Sequence, residues 1–105
     1  MSDSSVVHLG PADFHDGSIE GVRQSADRVR VTVRGESGQR YLVTFTGVTA
    51  LHAVRPEGML LYALTEIPTV DAVRRFSFTN WEDDDDARLE ISAIAAHIEP
   101  LSPAG

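Results

Sequence analysis

Apolar and polar residues alternating with a period of two, and turn residues spaced between the alternating runs, predict an all-β, mainly antiparallel domain. Six to seven short strands follow from that pattern, arranged as a small rolled sheet, a barrel or a sandwich. A third observation sets the scale. At 105 residues and 42% hydrophobic content, the chain fits one domain that buries somewhat over ~60% of its unfolded surface and holds one core without metal or disulfide.

The ends are small, polar or Pro-bearing, so residues 1–5 read as a disordered N-terminus, 6–99 as the β domain and 100–105 as a flexible tail. Val6, Val7 and Leu9 suit a short edge strand. Asp13-Phe14-His15-Asp16-Gly17 reads as a turn, with Gly17 free to take positive φ. In Ser18 to Gln24 the apolar Ile19 and Val22 are out of period-two phase, which predicts a bulge near Gly21. Arg28 to Arg34 carries the cleanest alternation, with Val29, Val31 and Val33 on one face and Arg30, Thr32 and Arg34 on the other. Gly35-Glu36-Ser37-Gly38 then connects it to a returning strand in which Tyr41, Val43 and Phe45 alternate with Leu42, Thr44 and Thr46.

Val48 to Val54 and Met59 to Leu64 are apolar on both parities, as in strands covered on both sides or buried helical turns. Arg55-Pro56-Glu57-Gly58 between them has the chemistry of a type I turn, so the two runs are expected to pair as a second hairpin. The segment from Arg74 follows, with Phe76 and Phe78 on one face and Trp81 on the other. It is expected to supply a hairpin at the centre of the fold. Leu89, Ile91 and Ala93 alternate and the phase then shifts to Ile94, Ala96 and Ile98, which predicts a strand bulging near Ala93. A helix across 87–98 competes, because Ala87, Ile91, Ile94, Ala95 and Ile98 share one helical face and Pro100 would end it.

Charge narrows the function classes. The net charge is −7, and the acidity is concentrated in the second half: residues 1–52 carry five Arg against six acids, and 53–105 carry four Arg against ten. Such a chain gains no general affinity for nucleic acid from counterion release. Arg28, Arg30 and Arg34 form either a local basic patch or, as expected here, a solvated strand face. No apolar run reaches the length of a membrane span, and the first residues do not resemble a secretory signal, so a cytoplasmic protein without membrane contact is expected. The absence of cysteine excludes disulfides, thiolate zinc sites and a Cys nucleophile. All nine basic residues are Arg, a usage that points to a high-GC bacterial source.

Four groups of residues bear on chemistry. The acidic run Glu82 to Asp86 invites a cation through Asp83 and Asp85, yet the twelfth position from Asp83 is Ile94 and no Gly intervenes, so it is not an EF-hand. A solvated hairpin tip is the expected role. His15 beside Asp16 has the composition of an acid–base pair, with Glu57 or Glu66 as a third group, but no Gly-x-Ser-x-Gly elbow supplies a nucleophile. A turn-capping role for Asp16 is expected instead. His8, His15, His52 and His97 have no ligand spacing, and His52 and His97 sit in apolar segments as core histidines would. Trp81, Tyr62 and Tyr41, with Met59 in the doubly apolar run, are the candidate interaction residues.

Phe14-His15-Asp16-Gly17, Pro56-Glu57-Gly58-Met59 with Tyr62-Ala63-Leu64, and Phe76-x-Phe78-x-Asn80-Trp81 through the acids to Asp86-Ala87-x-Leu89-Glu90-Ile91 together resemble a group of small bacterial proteins of uncharacterised function. The resemblance spans residues 14 to 98 and implies an all-β domain with strand at Leu89 to Ile98. It implies no catalytic residues. Small acidic β domains with a His-Asp opening are also similar to immunity proteins, which bind and neutralise a toxin.

The function expected from the sequence is a non-catalytic module that binds a protein partner or itself, including as a homodimer, with no cofactor. A small hydrolase or isomerase using His15 and Asp16 is the first alternative. A weak divalent-cation-binding domain using residues 82–86 is the second.

Overall fold

The computed structural model describes residues 7–10, 12–55, 57–67, 73–80 and 88–101, and of Val7, His8, Tyr62, Thr79 and Asn80 the backbone alone. Among these residues the order is β1 (Val7–Leu9), a 3-10 helix (Ala12–Phe14), β2 (Ser18–Ser25), β3 (Arg28–Arg34), β4 (Arg40–Thr46), β5 (Ala50–Val54), β6 (Leu61–Ile67), β7 (Arg74–Asn80), β8 (Arg88–Ala93) and β9 (Ala95–Pro100). The protein is all-β and antiparallel. A five-stranded sheet runs β1-β6-β7-β8-β5 and a four-stranded sheet runs β2-β3-β4-β9. Neither sheet closes into a barrel, which leaves the sandwich of the three architectures expected from the sequence.

Nine strands among the described residues replace the six to seven expected, chiefly because the last apolar segment is two strands in different sheets. β8 pairs with β5 and β7, the chain bends at Ile94, and β9 then pairs with β4. The phase shift seen in the sequence is the signature of this crossing: Leu89, Ile91 and Ala93 face the core from one sheet, and Ala96 and Ile98 pack on it from the other. The competing helix is absent. β4 crosses back to β5 alongside, and the two crossings hold each other through Ile94 N–H donating to Thr46 O (3.0 Å) and Thr49 N–H donating to Ser92 O (2.9 Å). Gly47 is required at that corner, because it has φ 64 and a Cβ there would sit 2.8 Å from Ile94 Cδ1.

The second hairpin is a correction. β5 does not pair with β6; it is an edge strand on β8, while β6 lies between β1 and β7. A turn signal between two apolar runs fixes only that the chain turns, not that the flanking strands are neighbours. Edge placement also explains His52, which is exposed on β5, as is His97 on β9, so neither is a core histidine. The domain also extends past residue 99: β9 includes Pro100, and Leu101 N–H donates to Arg40 O at 2.9 Å.

The remaining strands follow their alternation. Val29, Val31, Val33, Val43 and Phe45 are fully buried from the four-stranded sheet, and Leu61, Leu64, Phe76, Phe78, Leu89 and Ile91 meet them from the other. Phe45 bridges the layers, with its ring centroid 5.1 Å from Phe76 and 6.0 Å from Phe78. β7 is the central strand of its sheet and pairs with β8 as the expected hairpin. β2 carries the expected bulge between Ile19 and Gly21. Register places the outward residues as firmly as the inward ones, and that positions the site.

Candidate functional site

The outward face of the four-stranded sheet gathers five of the nine arginines. Arg28, Arg30 and Arg34 alternate with the buried valines of β3 and so point away from the core. The β2–β3 register puts Arg23 opposite Arg30 and Ser25 opposite Arg28, and the β3–β4 register puts Arg40 opposite Arg34. All five are exposed. Thr32, Leu42 and Thr44 fill the middle of the face, and His97 and Glu99 of β9 border it.

Like charges directly opposite one another on a sheet are destabilising, and this face holds two such pairs. The fold neutralises one of them. Glu20, in the bulge of β2, reaches Arg40 Nε at 2.9 Å and Arg34 Nη1 at 3.9 Å. The other pair, Arg23 and Arg30, with Arg28 two residues from Arg30 along β3 and diagonal to Arg23, makes no ion pair with a carboxylate among the described residues. A hollow of about 240 Å³ lies beside it, lined by Ser25, Ala26, Asp27, Arg28 and Arg30. Ala26 turns the chain there at φ 54, unusual for a residue with a side chain, and the turn is anchored by Val48 N–H donating to Asp27 O at 2.8 Å.

The His-Asp opening makes a different kind of corner. Asp13 accepts hydrogen bonds from Ser37 N–H (2.9 Å), Ser37 Oγ–H (2.7 Å) and Tyr41 O–H (3.0 Å), tying the 3-10 helix to the β3–β4 turn. The Ser37 hydroxyl, then the Ser37 N–H, hold the Asp13 carboxyl below its ordinary range. Partial burial, then the Asp13 carboxylate, push the Tyr41 phenol up. Beneath them Phe14 is buried and meets the Tyr41 ring edge-on at 5.2 Å. Positive φ in this turn falls on Asp16 (φ 69), not on Gly17. Gly17 is needed for a different reason: a Cβ there would lie 2.5 Å from Arg34 O.

His15 Nδ1 stands 3.5 Å from Asp16 Oδ2, with both side chains about half exposed. Neither lines the arginine hollow or a second one of about 170 Å³ between Ile67, Arg75, Glu90 and Ser92. Glu66 does not join them. It lies five residues along β6 from Leu61, whose carbonyl accepts from Asp16 N–H, and both its oxygens are engaged by Arg74, at 2.7 and 2.8 Å. That bond holds Glu66 below and Arg74 above their ordinary ranges, while the Arg74 guanidinium stacks 5.1 Å from the Phe76 centroid. Glu57 is an exposed turn residue.

No family model, curated protein or solved structure matches the chain.

Of the other residues singled out from the sequence, Trp81 and the run Glu82 to Asp86, including Asp83 and Asp85, lie outside the described residues, as does the Tyr62 side chain. Met59 is corrected from a surface residue to a core one, 3% exposed, because Met59 O accepts from Ile19 N–H and the adjacent Leu60 takes the outward position at 45%. Tyr41 is likewise committed inward to Phe14 and Asp13. No group of three or more His, Asp or Glu among the described residues is placed to hold a metal ion. No helix among them is long and apolar enough to cross a membrane.

Sequence reasoning named Arg28, Arg30 and Arg34 but read them as a solvated face, and it missed Arg23 and Arg40. The signal was present: taking Ala26-Asp27 as a two-residue hairpin loop sets Arg23 opposite Arg30.

Proposed function

We propose that the protein is a non-catalytic interaction module whose arginine face recognises an acidic segment of a protein partner. The observation that carries this is the Arg23–Arg30 cross-strand pair with Arg28 beside it, a concentration of like charge that makes no ion pair among the described residues, with Asp27 the one acid lining the hollow beside it, while Glu20 neutralises the equivalent Arg34–Arg40 pair. An incoming carboxylate relieves that repulsion, and planar guanidinium groups suit carboxylates in particular. A rigid antiparallel sheet holds the cationic groups in fixed register, which limits the entropy lost on binding.

A polypeptide is favoured over nucleic acid on two grounds. The outward positions of this face include no Phe, Tyr or Trp on which bases could stack, and its one ring is the His97 imidazole at the border. A duplex also presents a charge every ~1.7 Å to a chain of net charge −7, whereas a short acidic segment presents only a few.

Titration of hexaglutamate into labelled protein, followed by amide chemical shifts, tests the proposal. Shifts are expected along β2 and β3 around Arg23, Arg28 and Arg30, fading with added salt. Shifts centred on His15 and Asp16, or a stronger response to a single-stranded oligonucleotide than to hexaglutamate, would contradict it.

A further inference from the structure

We propose that the acidic segment binds as an extended strand along the open edge of β2, antiparallel to it, and that the site reads acids on alternate residues with apolar residues between them. The inference rests on the arginine-face reading and adds the form and sequence pattern of the partner.

The hairpin fixes which backbone groups are free. A two-residue loop at Ala26 and Asp27 makes Ser25 and Arg28 a hydrogen-bonded pair. The alternation of an antiparallel ladder then bonds Arg23 to Arg30 and turns the N–H and C=O of Val22 and Gln24 away from β3. The start of β2 shows the same parity. Ile19 stands opposite Val33 as Val22 stands opposite Val31, and it faces the edge: its N–H donates to Met59 O (3.1 Å) and its C=O accepts from Gly58 N–H (2.7 Å). Residues 58–61 thus cover the first part of this edge, up to the bulge. Beyond the bulge the edge is open. β2 is the last strand of its sheet, Val22 and Gln24 have no backbone partner beyond β3 among the described residues, and a Cβ at Gly21 would meet nothing within 4 Å. Such an edge is a template for another strand.

Side chains select the occupant. Arg23 projects from the middle of the open stretch, with Arg30 and Arg28 one strand behind it. Strands lie about 4.8 Å apart, so acids placed opposite Arg23 and Ser25 come within reach of Arg23 and, across the small Ser25, of Arg28. On the other face of the same strand Val22 packs against the core while part of it stays exposed, so the partner residue opposite it is apolar. Acids and apolar residues therefore alternate, as the period of a strand requires. The chain's own acids bound the stretch: Asp27 lines the hollow at the turn, and Glu20 stands at the bulge, engaged by Arg40 and Arg34. On the facing sheet, Glu66 and Arg74 are committed to each other.

A second copy does not suit this edge. Two β2 strands paired antiparallel present the same outer face, so they would set two arginine clusters side by side. The repulsion that deters a like strand favours an acidic one. β9, at the other edge of the sheet, carries Glu99 and Pro100 in place of cations.

Calorimetric titration with three forms of a blocked hexapeptide alternating Glu and Val tests the mode of binding: unmodified, N-methylated at its valines, and N-methylated at its glutamates. In the proposed register the valines lie opposite Val22 and Gln24 and donate the hydrogen bonds, whereas the glutamate N–H groups point away from β2. Wild type is expected to bind the unmodified peptide in low salt and the glutamate-methylated form within about threefold of it, but to bind the valine-methylated form at least about tenfold more weakly. All three forms carry the same charge, so a site that reads charge alone would not separate them. R23Q/R28Q/R30Q is expected to bind none of them. On the protein side, Gln24→Pro removes a free edge N–H and no β2–β3 hydrogen bond. With circular dichroism confirming its fold, it should bind the unmodified peptide at least about tenfold more weakly than wild type.

Equal binding of the two methylated forms, weaker binding of the glutamate-methylated form, or a folded Gln24→Pro that binds as wild type does would each overturn strand addition at β2. Hexaglutamate then separates the two levels. Binding of hexaglutamate to wild type but not to R23Q/R28Q/R30Q keeps the arginine face as a site for an acidic segment bound in another form, and no binding of either peptide removes both proposals.

Discussion

The Asp13 corner and the arginine face use charged groups in opposite ways. At the corner, one carboxylate accepts three hydrogen bonds from Ser37 and Tyr41 and lies above the buried Phe14. On the face, Arg23 and Arg30 are set against each other with no described carboxylate between them. Polar groups satisfied inside the chain stabilise the fold, whereas polar groups aligned outward at a cost to the fold are available to a ligand. The corner should therefore respond to substitution in stability, and the face in binding.

The largest expected effect is on the corner's core. Phe14→Ala should cost about 3–5 kcal/mol in urea unfolding, the usual penalty for emptying a buried aromatic site. A loss under about 1 kcal/mol would show that the corner is not integral to the fold. Next in size is Asp13→Asn, which weakens the acceptor for Ser37 and Tyr41 and should lower the unfolding midpoint by less than Phe14→Ala. Its pH dependence carries a sign. Asp13 and Glu66 are both held below their unfolded values, so their stabilisation is complete above those values and is lost as pH falls below about 4. The acid limb should be shallower in Asp13→Asn. At the other extreme the Tyr41 phenol is pushed up, so stability should fall as pH rises above about 10, and less so in Tyr41→Phe.

Much of the fold could be read from the sequence because burial on one face imposes period two: Val29, Val31 and Val33, and then Phe76 and Phe78, declare their strands and their inward side. Pairing between distant strands could not. β5 and β6 adjoin in sequence but belong beside β8 and β7, and nothing local to residues 48–64 encodes that choice. The break at Ile94 was visible as a phase shift, but a shift reads equally as a bulge within one sheet or a passage between two. At the candidate site, β3 showed which of its arginines point outward. The repulsive pairing with Arg23 and the rescue of Arg34 and Arg40 by Glu20 depend on register and on the β2 bulge, which become definite only once the strands are aligned.

Smaller effects sharpen the contrast on the face itself. Arg30→Glu replaces a like-charged cross-strand pair with an opposite one and should raise stability by about 0.2–1 kcal/mol while abolishing recognition of acidic peptides. Ala26→Gly relieves the positive φ at the neighbouring turn. Its gain should be about 1 kcal/mol or less, because glycine's extra unfolded-state freedom offsets part of the relief. Both are read from denaturant midpoints, and a destabilisation by Arg30→Glu would mean that the face is stabilised by contacts other than charge.

The most direct test of the central claim compares wild type with R23Q/R28Q/R30Q in one calorimetric titration against hexaglutamate at low salt, with unfolding free energy measured on the same samples. The account predicts saturable binding to wild type, none to the variant, and stabilities within about 0.5 kcal/mol of each other. Equal binding by the two proteins would contradict it.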